Sequence, residues 1–224
     1  IKSVSYIKRS KEVYMRSKYL KYLNEDIKFD KETMIGIFCL LVVITGMFGF
    51  LYEFIFYYFN GGMKTFYWRG GNFLPWINIY ATGSIMIYLL TYKDRKKPLK
   101  VFLISVITTG ILEYFSGLGM DKIAGKRCWD YSQEILGALN INGYVCLRSV
   151  LVFGVFSLLL IYIVLPLIFY IAKKSNKKVF VTTSIILCSI IMIDEFYNLL
   201  IARIFHLPRA YNVYSKLGVP YVKF

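Results

Sequence analysis

Five apolar runs constrain the fold of this 224-residue chain more than any other feature. They fall at about residues 34–58, 74–92, 101–120, 144–172 and 179–204. Each comes near or above the ~20 residues that a helix needs to cross the hydrocarbon core of a bilayer. Backbone N–H and C=O groups in lipid must pair inside the segment, and the period-two alternation of a membrane barrel is absent, so the runs predict helices. The expected fold class is all-α, a polytopic membrane protein with a bundle of about five transmembrane helices over residues 34–204. A basic amphipathic segment, 1–33, precedes the bundle and a C-terminal tail, 205–224, follows it. Composition agrees, since 57% of the residues are hydrophobic and 18% aromatic, with only 13 acidic residues to solubilise them.

The chain carries 28 Lys and Arg and a formal charge of +15. In a soluble protein that balance would point to nucleic acid. Here the basic residues sit in short stretches between apolar runs, the pattern that fixes orientation and meets anionic lipid, so no nucleic-acid partner is expected. Nine lie in residues 1–33, five in the second loop and four in the fourth, against two, Lys64 and Arg69, in the first. The expected location is a cell membrane, with the amino terminus in the cytoplasm and the carboxyl terminus outside. No secretory signal is expected, because the first apolar run starts only near Met34. Residues 1–33 read as a helix on the cytoplasmic membrane surface, with Asp30 and Thr33 suited to start the first span.

Some chemistries are excluded. Cys39, Cys128, Cys146 and Cys188 show no C-x-x-C or Cys/His spacing, so no metal or cofactor is expected. Cys128 and Cys146 fall on the same expected outer side, where free thiols are favoured over a bridge. His206 is the only histidine, which removes His-based triads. Gly119 to Lys126 departs from a phosphate-binding loop: five residues separate the glycines and Arg127 stands where Ser or Thr is required. The chain is therefore expected to be no ATPase.

The outward-running first, third and fifth helices each carry a carboxylate in the outer half. At 1.5 Å rise per residue, Glu113 lies roughly 18 Å, Glu195 roughly 24 Å and Glu53 roughly 28 Å from the inner end of its helix. Arg148 starts the fourth helix at the same level. Glu53 shares a helix face with Gly46 and Gly49, Glu113 with Gly110, Ser116 and Gly117, and Glu195 with Ser184, Cys188, Asn198 and Ala202. Small residues mark the packed side of a membrane helix, so the acids are expected to face the bundle interior. Asp194 and Glu195 are adjacent and cannot both face one cavity; Glu195 is preferred. Two readings stay open. The charges are interior ion pairs that fix helix register, Arg148 meeting one acid and Arg203 another, or they line a pocket for a solute, ion or headgroup. The cost of about 2.5 to 3.5 kcal/mol for each ionisable group in the bilayer centre favours the pocket.

The first outer loop holds Gly61-Gly62 and Gly70-Gly71, with Pro75 where the second helix is expected to start. It suits either a broken, re-entrant helix with its N-terminus aimed at an anion or, as favoured, an interfacial loop anchored by Trp68 and Trp76.

Glu113-Tyr114, Gly117, Gly125, Arg127, Trp129-Asp130-Tyr131-Ser132, Asn140, Asn142-Gly143, Cys146-Leu147-Arg148, Ser149 and Gly154 form a specific pattern. In it the chain resembles the bacterial ABC-transporter type IV permease family, the CmpB-like proteins. A weaker match covers Tyr52-Glu53, Arg69-Gly70, Pro75 and Tyr80. The chain departs from the family's usual Gly-Pro at Leu74-Pro75, and from its paired tryptophans at Cys128-Trp129. The resemblance implies a permease.

The expected function is thus a non-catalytic, permease-like or transport-associated membrane protein with an outer-leaflet pocket for a polar or amphipathic solute. Substrate-binding candidates are Glu53, Arg69, Glu113, Tyr114, Arg127, Trp129, Asp130, Tyr131, Asn142, Arg148 and Glu195. Expected partners are anionic lipid of the cytoplasmic leaflet, and a separate ATP-binding subunit or a second copy of the chain. The alternatives are an intramembrane enzyme acting on lipid or isoprenoid, with a Glu as acid/base and an Arg holding phosphate, and a structural or regulatory membrane protein.

Overall fold

A computed structural model describes residues 21–60, 68–125, 127–133 and 139–219. These residues are helical without a named strand, so the all-α expectation holds. The helices are α1 (Lys31–Asn60), α2 (Asn78–Thr91), α3 (Pro98–Ala124), α4 (Leu147–Lys174), α5 (Lys177–Ile204) and α6 (Ala210–Lys216). Among the described residues, α1, α3, α4 and α5 are long and apolar enough to cross a membrane. Asp30 starts α1 as expected: its carboxylate accepts from the Thr33 N–H at 3.2 Å and from the Thr33 hydroxyl at 2.8 Å.

α1 and α5 begin at the same end, where Lys177 Nζ lies 2.9 Å from Asp30 and 2.7 Å from Glu32. α2 runs antiparallel to α1: Tyr80 meets Gly49, the Ser84 hydroxyl lies 2.9 Å from that of Thr45, and Tyr88 packs on Phe38. α4 runs antiparallel to α3, with Val150 against Gly110 and Phe102 against Gly154. The first half of α4 packs on α3 and its second half on α1. Between the halves is a π-turn, Leu160–Val164, in which the Leu165 N–H reaches back to Leu160 O. Pro166 follows and has no N–H to give, and Ile161 O accepts instead from the Tyr22 hydroxyl at 2.5 Å.

The apolar core sits at the end where α1, α3 and α5 begin. Ile37, Leu41, Ile87, Val101, Leu165, Ile168, Phe169 and Phe180 form one cluster there with Tyr22. The described part of the basic N-terminal segment, residues 21–30, packs on this end of the bundle. Arg95 holds it by donating to Tyr22 O at 2.9 Å, Glu25 O at 2.8 Å and Asp26 Oδ1 at 2.9 Å. The remainder of that segment, residues 1–20, lies outside the described residues.

The second span differs from expectation. Its helix begins at Asn78 and has 14 residues, about 21 Å at 1.5 Å per residue, too short to cross alone. Residues 68–77 lead into it without helix, and Pro75 sits before the helix, not in its first turn. Trp76 is not an interfacial anchor. It is 1% exposed, its ring fills the place a side chain at Gly46 would take, and its Nε1 donates to Val42 O at 2.9 Å. Irregular backbone survives at this depth because protein groups satisfy it: the Ile77 N–H donates to Gly46 O at 3.1 Å, and Asp194 accepts from the Phe73 N–H at 3.1 Å and the Leu74 N–H at 2.7 Å.

Candidate functional site

The half of the bundle away from the apolar core holds the polar groups. Glu113 is 3% exposed on α3. It lies between Gly110, which lets Val150 of α4 approach, and Gly117, which lets Tyr144 and Trp129 approach. The Tyr131 hydroxyl donates to Glu113 Oε1 at 2.5 Å and the Ser149 hydroxyl to Oε2 at 2.6 Å. Burial pushes the Tyr131 phenol well above its ordinary value, and the Glu113 charge pushes the same way, so Tyr131 stays a donor. Ser149 is fixed by the start of α4, where its N–H reaches Cys146 Sγ at 3.4 Å. Arg148, beside it, stands 4.4 Å from the Phe56 ring centre and 5.3 Å from that of Tyr131, within electrostatic range of Glu113.

Glu53 accepts from the Tyr80 hydroxyl at 3.3 Å and faces Arg69 Nη1 at 3.7 Å. Arg69 is 5% exposed and stacks over the Tyr57 ring at 3.5 Å. Glu195 accepts from Asn72 Nδ2 at 2.6 Å and from Asn78 Nδ2 at 3.1 Å. Its neighbour Asp194 accepts from the loop backbone instead.

A loop closes the far end. Arg127 lies 3.0 Å from Asp130 and 3.4 Å from Asp121, and it stacks on Tyr144 at 4.7 Å. Asp130 also accepts from the Ser132 N–H at 3.0 Å and hydroxyl at 2.6 Å. Those Ser132 bonds, with the Arg127 charge, hold the Asp130 carboxyl below the usual carboxylate range. Gly143 has φ 73° and leaves no room for a Cβ against Asp130 and Arg127. Trp129 Nε1 donates to Tyr144 O at 2.7 Å. Cys128 and Cys146 are free thiols.

One cavity of about 980 Å3 gathers these elements. Glu53, Arg69, Glu113, Arg127, Trp129, Asp130, Tyr131, Arg148 and Glu195 all line it. Tyr114 and Asn142 do not; Asn142 Nδ2 donates to the Tyr114 hydroxyl at 3.2 Å on the exposed side of the loop. Sequence reasoning passed over Asn72, Asn78 and Arg209, which also line the cavity. Single polar residues in an aperiodic stretch carry no spacing signal, and only the fold brings the two asparagines to Glu195. Among the described residues no group of His, Cys, Asp and Glu could hold a metal ion.

Neither the curated proteins nor the solved structures compared with the chain match it. A family model does, over residues 40–199, and this span contains every element that lines the cavity except Arg203 and Arg209. With more than half of its length matched, the chain belongs to the family described as "Putative ABC-transporter type IV".

Proposed function

We propose that the chain is a permease-like, transport-associated membrane subunit whose cavity, in the outer half of the bundle, receives a polar or amphipathic solute. A separate ATP-binding subunit supplies the energy. The observation that carries this reading is the convergence of Glu53, Glu113, Glu195, Arg69 and Arg148, from four helices and a loop, on one cavity of about 980 Å3. Buried ionisable groups at membrane depth are costly, and a mixed set around a space of ligand size suits a polar solute better than helix packing alone. The broken second crossing supports it too, since transporters place such segments at their binding sites.

Thermal unfolding in detergent, with and without a membrane lipid extract, tests the reading. Wild type is expected to be stabilised by the extract, and Glu113→Gln and Arg148→Gln to insert and fold yet lose that stabilisation. Equal stabilisation of both variants would count against a solute site. The partner is tested by co-purification: an ATP-binding subunit encoded beside the chain should be retained by wild type.

A further inference from the structure

The cavity is not closed on all sides. α3 packs on α2 and α4, and α5 packs on α1 and the second half of α4, but among the described residues α3 and α5 make at most a slight contact. Both nevertheless line the cavity, α3 through Leu112, Phe115, Ser116, Met120 and Ile123 and α5 through Glu195, Asn198, Leu199 and Arg203. Three of these wall residues are also exposed outward, Phe115 at 64%, Ile123 at 87% and Leu199 at 44%. Between them, at the start of α2, Asn78 and Thr82 are exposed and line the same cavity. The apolar rim lies on spanning helices, so the opening faces acyl chains.

Arg203 stands at the outer end of this opening, on the last turn of α5. Its Nε is enclosed and has no hydrogen-bond partner, and among the described residues no carboxylate lies within ion-pair distance of its guanidinium. Glu53, Asp130 and Glu195 are engaged elsewhere, by Arg69, by Arg127 and by the two asparagines. A half-buried guanidinium with its Nε out of water and no carboxylate beside it is a ready partner for an anion. At the end of a spanning helix, the anion it meets is at headgroup depth.

We propose that the gap between α3 and α5 is a lateral portal and that the solute is an anionic single-chain amphiphile. Its phosphate or carboxylate headgroup binds Arg203, and its chain enters beside Phe115 and Leu199. This rests on the cavity being a solute site and names the class of solute and its route.

Tryptophan quenching by brominated lipids tests the proposal. Two of the three tryptophans, Trp76 and Trp129, line the cavity. The full chain is placed in nanodiscs of zwitterionic lipid and titrated with a bromine-labelled single-chain phosphate monoester, or with the matching uncharged monoacylglycerol. Saturable quenching by the phosphate lipid is expected. Arg203→Gln should weaken it about tenfold, the loss of one charge-assisted contact, while leaving the uncharged lipid unchanged. Thr82→Phe, which fills the opening at an exposed site, should slow quenching by both lipids. Equal binding of the two lipids, or no effect of Arg203→Gln, would overturn the anionic headgroup with the cavity reading intact. Displacement of the lipid by millimolar inorganic phosphate would assign the site to a free anion and overturn the amphiphile. No saturable quenching by either lipid, together with extract-dependent stabilisation lost in Glu113→Gln, would overturn the portal alone; if that stabilisation is also unchanged, the solute site itself fails.

Discussion

Glu113 shows how a carboxylate is kept at membrane depth by this chain. Two hydroxyl donors from different elements, Tyr131 of the loop and Ser149 of α4, take one oxygen each. Removing either donor leaves a buried acceptor short of a partner. Tyr131→Phe and Ser149→Ala are each expected to lower stability by about 1–2 kcal/mol, read from thermal unfolding in detergent. Asp130 gives the residue-scale pH dependence. Its folded-state pKa is depressed by Ser132 and then Arg127, so its contribution is present above the unfolded value of about 4 and is lost as pH falls below it through the folded value. The protection factor of the Ser132 amide, its exchange taken relative to the intrinsic rate at each pH, should therefore fall below about pH 4 in wild type. In Asp130→Asn the protection factor should already be low at neutral pH and change less with acid. The acids and Arg148 were legible in the sequence because ionisable residues inside apolar runs stand out, and their small-residue neighbours fixed the facing side. Asn72 and Asn78 were not, because their partner Glu195 lies more than a hundred residues away.

At the scale of elements, residues 68–77 distinguish this fold from a plain helical bundle. The sequence favours an interfacial loop up to the second span at residue 74, with a re-entrant entry as the alternative, because Gly, Trp and Pro in a row suit an interface. The structure turns them inward because Gly46 offers a seat for Trp76 and Asp194 offers a carboxylate to two backbone N–H groups. Neither signal exists in the local sequence. Two independent lesions should release the same segment. Trp76→Ala empties a fully buried site and is expected to cost about 3 kcal/mol. Asp194→Asn weakens the cap on Phe73 and Leu74 and should cost about 1–3 kcal/mol. Limited proteolysis near residue 70 should rise in both variants, while the core around Leu165 and Ile168 remains protected.

The whole molecule divides along its long axis into an apolar end that makes the fold and a polar end that holds the cavity. Helix directions follow from the contacts: α1, α3 and α5 run one way, and α2 and α4 run the other. The helix of the segment 68–91 is only about 21 Å long, and residues 68–77 precede it without helix. The count of apolar runs anticipated these directions, since hydropathy reads length and not regularity. It could not show that the helix of the second run starts only at Asn78. We propose from the Lys/Arg asymmetry that the apolar end faces the cytoplasm and the carboxyl terminus the outside. Alkaline phosphatase fused after residue 219 should be active, and inactive when fused after residue 95.

The central claim is that the stretch between α1 and α2 enters the bundle and meets α5, which creates the cavity. Asn72 and Glu195, separated by 123 positions, are in direct contact at 2.6 Å. Asn72→Cys with Glu195→Cys, treated in membranes with a short bifunctional thiol reagent and read by peptide mass spectrometry, tests that contact directly. A 72–195 cross-link is expected in high yield. Labelling of both cysteines without a cross-link between them would contradict the account.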